Sequence, residues 1–198
     1  MDSVNNICQN CNELWVFGYG SLVWKNADFE FESSVAGFLK GFKRRFYQNS
    51  IDHRGTEKFP GRVVTLIKSD DQNERVYGMG YKISNDKIMK VLNHLDYREK
   101  NGYERCETFF YPINNEQLKK KTIVYVANET NPSWNSDHDL HSIARQVFKA
   151  IGPSGDNISY VYNLCNAMRE HFPNHYHEDR HLFELEKLLK EMKEKASE

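Results

Sequence analysis

Hydrophobic and polar residues alternate through the first two thirds of the chain in a pattern typical of β-strands. Short apolar or alternating runs, separated by turns rich in glycine and proline, predict these strands. The predicted strands cover residues 15–19, 35–48, 62–68, 75–83, 103–111 and 122–127. Gly78 and Gly80 within one of them indicate close approach of another backbone, as in a barrel or beside a ligand cavity.

Apolar residues recur at helical spacing elsewhere in the chain. The first such segment, residues 84–98, can be capped by Ser84, Asn85 or Asp86 and ends before Gly102. The later helical segments follow Pro132 and cover residues 140–151, 158–172 and 179–195. Strands followed by helices, with no internal repeat or linker, predict a single α+β domain with helices packed on a barrel-like sheet.

Length, charge and cysteine content narrow the class of protein. The chain has 198 residues, the size of one domain, and its net charge of −1 disfavours a nucleic-acid partner, which needs a positive face. No apolar run is long enough to span a bilayer, and residues 1–6 lack the features of a secretory signal. The four cysteines are too few and too irregular for a disulfide framework. We therefore expect a cytoplasmic protein without a membrane partner.

Both ends of the chain are expected to lie outside the folded unit. Residues 1–14 are polar and rich in asparagine, which predicts a flexible N-terminal extension. Cys8 and Cys11 within it have the spacing of a zinc half-site or a redox pair, but the further features that such sites need are not visible. The charged residues 191–198 predict a frayed tail, and the domain itself is expected to cover residues 15–190.

The first sign of chemistry is the sequence Val-Phe-Gly-Tyr-Gly-Ser-Leu at residues 16–22. A strand breaks here into a turn, and Gly18 and Gly20 allow the main chain to adopt positive φ and to approach a ligand closely. Several backbone N–H groups then face one small space, which is the arrangement of an anion or oxyanion pocket. A turn that merely contains glycine is the alternative.

A candidate chemical partner for this turn is Glu99, at the end of the first predicted helix. The negative end of the helix dipole disfavours a carboxylate, and it therefore raises the pKa of Glu99 towards the range of a general base. Arg98 and Lys100 oppose that shift if they lie close to the carboxyl group. The alternative is a charged helix end in water.

Several motifs taken together resemble the ChaC family of glutathione-specific γ-glutamylcyclotransferases. They occur in order and at compatible spacing, and they lie at residues 16–22, 52–55, 60–66, 95–100 and 152–157. In this chain they read VFGYGSL, DHRG, PGRVVTL, LDYREK and GPSGDN. The resemblance covers about residues 15–189 and is specific, because several multi-residue motifs must coincide.

The resemblance implies a mixed α/β fold built on a small β-barrel, no metal or other cofactor, and cleavage of glutathione to 5-oxoproline and cysteinylglycine. Glu99 stands at the position of the family's proposed acid/base. Lys90 occupies a position that is acidic in some relatives, and we assign it no catalytic role. The implied substrate-binding residues are Val16, Phe17, Gly18, Tyr19, Gly20, Ser21 and Leu22.

The chemistry of γ-glutamyl peptides agrees with these residue types. The α-amine of the glutamyl group reaches its own γ-amide carbonyl, so that no enzyme nucleophile is needed. The protein must fold the glutamyl chain, take a proton from the α-ammonium group, stabilise the oxyanion and protonate the departing amine. One carboxylate, Glu99, can do both proton transfers. Backbone N–H groups of the turn would hold the α-carboxylate, the oxyanion or both.

Two further side chains are weaker candidates for substrate binding. Arg62 can make a bidentate contact with a carboxylate, and the alternative is an ordinary surface arginine. The hydroxyl of Tyr160 can reach the site, and the alternative is packing on a helix. The histidines at residues 171, 175, 177 and 181 include metal-ligand types, but a solvated loop is the simpler interpretation.

Two other functions stay open at this point. The first is a cyclotransferase that acts on other γ-glutamyl peptides or on γ-glutamylamines. The second is a non-catalytic signalling partner that binds carboxylates. Glu99 counts against the second, because a binding module gains little from a base beside its anion site.

Overall fold

The computed structural model describes residues 13–25, 27–99 and 102–197. The pair Cys8 and Cys11 therefore lies outside the described residues, as do Lys100 and most of the predicted N-terminal extension. Strands β1 to β9 cover Leu14–Gly18, Ser33–Lys40, Phe42–Ser50, Gly61–Lys68, Arg75–Ile83, Glu104–Pro112, Lys120–Val126, Ile151–Gly152 and Gly155–Asp156. Helices α1 to α4 cover Ile88–Arg98, Leu140–Lys149, Asn157–His171 and Arg180–Lys195. Short 3-10 turns cover Ser21–Val23, Asn85–Lys87 and Tyr176–Glu178.

The centre of the fold is a closed barrel with the strand order β1-β5-β2-β6-β7. Most neighbouring strands are antiparallel, but β1 runs parallel to β7, with Trp15 opposite Thr122. This pairing closes the barrel and makes it mixed, which confirms the predicted fold class. β5 has the predicted bounds, and its glycines do mark close approach: a Cβ on Gly78 would lie 2.3 Å from the carbonyl oxygen of Gly18.

The long strand predicted at residues 35–48 is two strands, β2 and β3. Gly41 separates them with a φ of 75°, a left-handed conformation that glycine adopts readily. β3 then leaves the barrel and forms a two-stranded sheet with β4. The prediction of one strand was wrong because apolar residues continue on both sides of the turn.

The helices cover the barrel on two sides. Val91, Leu92 and Leu95 of α1 are fully buried in one apolar cluster against β1, β5 and β7. A second cluster joins α2, α3 and α4 to residues of all seven longer strands, β1 to β7, and includes fully buried residues such as Val161 and Leu185. Burial of these faces is the main source of stability for such helices.

The helix ends differ in part from the prediction. No side-chain cap precedes α1: Ser84 stands before the 3-10 turn without a capping hydrogen bond from its side chain. Asp156 does cap α3, because its side chain accepts a hydrogen bond from the backbone N–H of Ser159 at 2.7 Å. α4 ends at Lys195, which agrees with the helix predicted at residues 179–195. None of the helices in the described part of the chain has the length and apolar character needed to cross a membrane.

Candidate active site

A cavity of about 400 Å³ opens where the turn after β1 meets the end of α1, the loop between β3 and β4, and the start of α3. Its wall includes all of residues 16–22, together with Glu99 and Tyr160. These are the predicted site residues with one exception, Arg62. Segments that lie far apart in the sequence therefore come together around one space.

The glycines of the turn work by close approach and not by positive φ. Among the described residues, the glycines with positive φ are Gly41, Gly102 and Gly155, so that the expected left-handed conformation at Gly18 and Gly20 was wrong. A Cβ on Gly18 would lie 2.5 Å from Cβ of Leu22. A Cβ on Gly20 would lie 3.0 Å from the hydroxyl of Tyr160 and 3.0 Å from Cγ2 of Val64. Glycine is therefore required here by space.

Two tyrosines hold the turn from the barrel side. The hydroxyl of Tyr19 donates a hydrogen bond to the carbonyl oxygen of Tyr125 at 2.7 Å. The hydroxyl of Tyr81 donates to the carbonyl oxygen of Leu22 at 2.6 Å. Burial raises the pKa of both hydroxyls, so that they stay protonated and keep donating at neutral pH. The main chain of the turn is therefore fixed at both ends.

Arg98 links the turn to the end of α1. Its Nη2 atom donates to Oγ of Ser21 at 3.0 Å, and its Nη1 atom lies 2.6 Å from Oδ1 of Asp28. Its Nε atom lies 3.4 Å from Oε1 of Glu99. One guanidinium group thus contacts the glycine turn, an acid and the candidate base.

Glu99 closes α1 and places its carboxyl group in the cavity wall. Its backbone N–H donates to the carbonyl oxygen of Leu95 at 2.8 Å, and its side chain is 24% exposed. Burial is the largest cause that raises the pKa of Glu99, and the charges of Asp28 and Asp52 add to it. Arg98 and His53 oppose the shift, but the net pKa is raised. The direction agrees with the prediction, whereas the main cause is burial and not the helix dipole.

Tyr160 comes from the first turns of α3 and is buried. Its ring packs edge-on against Trp24 at 5.1 Å and Phe46 at 6.1 Å between ring centroids. Burial raises the pKa of Tyr160 to about 12, so that the hydroxyl beside Gly20 remains protonated at neutral pH. The ring of Tyr160 therefore packs in the core, whereas its hydroxyl lies at the candidate site.

Arg62 is not brought to the cavity. It is 1% exposed, so it is not a surface arginine either. Its Nε donates to Gln146 at 2.7 Å, its Nη1 to the carbonyl oxygen of Phe46 at 3.1 Å, and its Nη2 to that of Asp137 at 3.3 Å. The register of β4 directs this side chain towards α2, and we leave Arg62 out of the proposals below.

The loop at residues 52–55 supplies wall residues to which the sequence analysis assigned no role. Asp52, His53 and Arg54 all line the cavity, and Nδ1 of His53 lies 2.8 Å from Oδ1 of Asp52. The only sign in the sequence was the DHRG motif, whose pattern alone indicates a turn. Its position against α3 depends on the tertiary structure.

The remaining candidates lie elsewhere. His181 packs on Phe46, and His175 contacts Glu178 at 2.8 Å between Nδ1 and Oε1. In the part of the chain that the structure describes, no three His, Cys, Asp or Glu side chains form a metal site. Lys90 pairs with Glu30 on the surface of α1.

Comparison with known proteins adds independent information. The family model described as "ChaC-like protein" matches residues 14–192, which is most of the chain. The chain belongs to the ChaC-like family. This ChaC-like protein is 38% identical to glutathione-specific γ-glutamylcyclotransferase 1 of Danio rerio, over 90% of this chain and 89% of the relative. It is 39% identical to the Homo sapiens protein of the same name, over 79% of this chain and 70% of the relative.

The fold comparison agrees with the family match. A crystal structure from yeast, described as a γ-glutamyl cyclotransferase specific to glutathione, superposes on this ChaC-like chain with a TM-score of 0.82 at 25% identity. The match covers 91% of this chain and 97% of the yeast chain. The barrel and the helices around it are therefore the architecture of that enzyme as well.

Proposed function

We propose that this protein degrades glutathione to 5-oxoproline and cysteinylglycine by cyclotransfer. The observation that carries the proposal is the pairing of a partly buried carboxyl group, Glu99, with the glycine turn at residues 16–22 across one cavity. Membership of the ChaC-like family and the names of the relatives support the same reaction and the same substrate.

In the proposed mechanism the turn holds the γ-glutamyl group and Glu99 moves the proton. The carboxylate takes a proton from the α-ammonium group, and the freed amine attacks the γ-carbonyl carbon. The carbon–nitrogen bond to cysteine then breaks as Glu99 returns that proton to the departing nitrogen. The ring nitrogen, which still carries two hydrogens after the attack, releases a second proton, and the free amine of cysteinylglycine takes up one proton to become an ammonium group. No water is consumed, so the reaction balances with one substrate and two products.

The raised pKa of Glu99 suits both of its proton transfers, from the α-ammonium group and to the departing amine. A carboxylate with an ordinary pKa is a weak base towards an ammonium group. A raised pKa brings the pKa of the carboxyl group closer to that of the ammonium group, so that the proton is transferred more easily. Backbone N–H groups at the start of the 3-10 turn Ser21–Val23 have no partners within that turn. They are the donors that we propose for the oxyanion or the α-carboxylate, with the Tyr160 hydroxyl beside them.

A product assay tests the proposal. Purified protein is incubated with glutathione, and 5-oxoproline and cysteinylglycine are followed by mass spectrometry. We expect both products in equal amounts with the wild type and a loss of about 100-fold or more in kcat with Glu99→Gln. Glu170→Gln, which removes an exposed carboxylate from α3, is the matched control and should retain activity. Absence of both products would refute the proposed function.

The same assay separates the alternative substrates. Unlabelled γ-glutamyl-alanine competes with glutathione for turnover if the protein accepts γ-glutamyl compounds in general. Weak competition is expected from an enzyme that prefers glutathione. Glutathione that binds in a calorimeter but stays intact would favour the non-catalytic alternative.

We also propose that the reaction takes place in the cytoplasm. Cys106 and Cys165, the cysteines within the described residues, are free thiols. Free thiols suit a reducing compartment, and glutathione sets the redox poise of the cytosol. Co-fractionation of the tagged protein with a cytosolic marker tests this location.

A further inference from the structure

Arg54 is a buried cation in the cavity wall. It is 6% exposed, and its Nη1 atom donates a hydrogen bond to the carbonyl oxygen of Asp156 at 2.9 Å. Its Cζ atom lies 5.7 Å from the centroid of the Tyr160 ring. Within residues 13–25, 27–99 and 102–197, no carboxylate lies within ion-pair distance of this guanidinium group; its charge helps to lower the pKa of Asp156, whose carboxylate is bound by Ser159.

The charges of two other buried arginines, Arg44 and Arg62, are held in different ways. Arg44 forms an ion pair with Asp179, with Nη1 and Oδ2 2.6 Å apart. Arg62 places all three guanidinium nitrogens against neutral oxygen acceptors, away from the cavity. A buried charge is costly unless it is paired. Arg54 borders a cavity and has N–H donors beyond the one that binds Asp156. We therefore expect the ligand to supply the anion that pairs with it.

The position of Arg54 distinguishes between the carboxylates of the ligand, given the proposed function. In extended glutathione the glycyl carboxylate lies roughly 10 Å from the glutamyl end, about three residue lengths. Backbone N–H groups of the turn are the proposed donors for the α-carboxylate or the oxyanion, and Arg98 is engaged by Asp28 and Glu99. Arg54 lies over the ring of Tyr160, whose hydroxyl is beside Gly20. Arg54 is thus the buried cation of the wall that remains for the glycyl carboxylate.

We propose that Arg54 binds the terminal carboxylate of the peptide that leaves, and so selects γ-glutamyl peptides that end in a free carboxylate. Arginine is well suited to this role, because its planar group donates two parallel hydrogen bonds to a carboxylate. The bond from Nη1 to Asp156, the cap of α3, holds the guanidinium group in place. The inference rests on the proposed function and adds how the substrate is selected.

The test compares glutathione with its glycine ethyl ester, which lacks the terminal charge. In the wild type we expect kcat/KM to be about 10- to 100-fold higher for the acid, the worth of one charge-assisted contact. In Arg54→Gln, kcat/KM for glutathione should fall by that factor, whereas kcat/KM for the ester should change by less than about twofold. The ratio of kcat/KM for the acid to kcat/KM for the ester within one variant does not depend on how much of the protein is folded.

Two variants serve as controls. Lys58→Gln removes an exposed positive charge from the same loop, outside the cavity wall, and should keep the wild-type ratio. Arg54→Lys restores a charge without the planar pair of donors, and should recover part of the preference for the acid.

A binding measurement separates this inference from the proposed function. Calorimetry with Glu99→Gln, and with Glu99→Gln combined with Arg54→Gln, compares acid and ester without turnover. We expect the preference for the acid only when Arg54 is present. A wild type that treats acid and ester alike, or an Arg54→Gln variant that loses both substrates equally, would overturn the inference. If the wild type releases no product while Glu99→Gln still prefers the acid, the proposed function fails and the role of Arg54 stands.

Discussion

The Nε atom of Arg98 lies 3.4 Å from Oε1 of Glu99, and the same guanidinium group holds Ser21 of the glycine turn. A fixed positive charge thus stands beside a carboxyl group whose pKa is raised by burial. Burial raises the pKa of Glu99 and the guanidinium charge of Arg98 lowers it. Asp28 weakens the effect of Arg98 because it pairs with that guanidinium group. The pH at which Glu99 becomes a base is therefore set by identifiable neighbours.

The first prediction concerns the pH dependence of kcat/KM. Glu99 must be deprotonated to act as a base, so activity is lost as the pH falls through its pKa. Arg98→Gln removes a charge that lowers this pKa, and the acid limb should move to higher pH. Asp28→Asn removes a charge that raises the pKa, so the limb should move to lower pH. Shifts in the same direction would contradict the assigned roles.

The second prediction concerns space at the turn. Gly20→Ala places a Cβ 3.0 Å from both the Tyr160 hydroxyl and Cγ2 of Val64, so the turn or these two side chains must shift by a few tenths of an ångström. Overpacking of this kind costs about 1–3 kcal/mol, and we expect a loss of kcat/KM that exceeds the loss of folded protein. Val64→Ala removes one of the two clashes, and the double variant should regain activity. Equal activity of Gly20→Ala and the wild type would show that the turn has room to spare.

The third prediction concerns the buried residue that joins β4 to α3. Asn157 accepts a hydrogen bond from the backbone N–H of Arg62 at 2.6 Å and donates one to its carbonyl oxygen at 2.9 Å. Asn157→Ala leaves both backbone groups without these partners, and each buried orphan group costs about 1–3 kcal/mol. Urea denaturation should show a loss of stability of about 2 kcal/mol or more. Asn166→Ala, which removes an exposed amide from the same helix α3, is the control and should change little.

Local patterns predicted the parts of the site that are contiguous in the sequence. Residues 16–22 and Glu99 each carry their own signal, a strand that breaks at glycine and a carboxylate at a helix end, and both reach the cavity. Arg54 and Arg62 show where this reasoning stops. Each follows a turn and looks equivalent in the sequence, but β4 directs Arg62 towards Gln146, whereas the loop before β4 packs Arg54 against α3.

The same limit explains the errors in the fold. β5 was predicted with its observed bounds because it is a continuous alternating strand between clear turns. β2 and β3 were merged because Gly41 is one residue within a long apolar stretch, and its conformation is decided by the departure of β3 from the barrel. The cap expected before α1 was wrong because the chain enters that helix through a 3-10 turn.

The fourth prediction concerns stability in acid. His181 accepts a hydrogen bond from the backbone N–H of Phe46 at 3.2 Å, and burial lowers its pKa from 6.5 to about 3. The charges of Arg45 and His138 act in the same direction. The unfolded chain therefore binds a proton that the folded protein excludes, and the stabilising effect of neutral His181 is present in full above pH 6.5.

As the pH falls from 6.5 towards 3, the free energy of unfolding should fall by about 1 kcal/mol per pH unit from this residue. His181→Gln keeps an acceptor but does not titrate, so its stability should depend less on pH over that range. Urea denaturation at several pH values measures the difference between the two slopes. Parallel slopes would contradict the role of His181.

The parallel pairing of β1 with β7 has a consequence for how the protein becomes active. The contact between Thr122 and Trp15 joins residues that are 107 positions apart, and the glycine turn begins where β1 ends. Closing so long a loop is slow compared with local pairing. During synthesis, β1 can pair with β5, but the hydrogen bond from Tyr19 of its turn to Tyr125 must wait for β7. A partly made or partly unfolded chain therefore has no finished binding turn, which links the capacity to consume substrate to completion of the barrel.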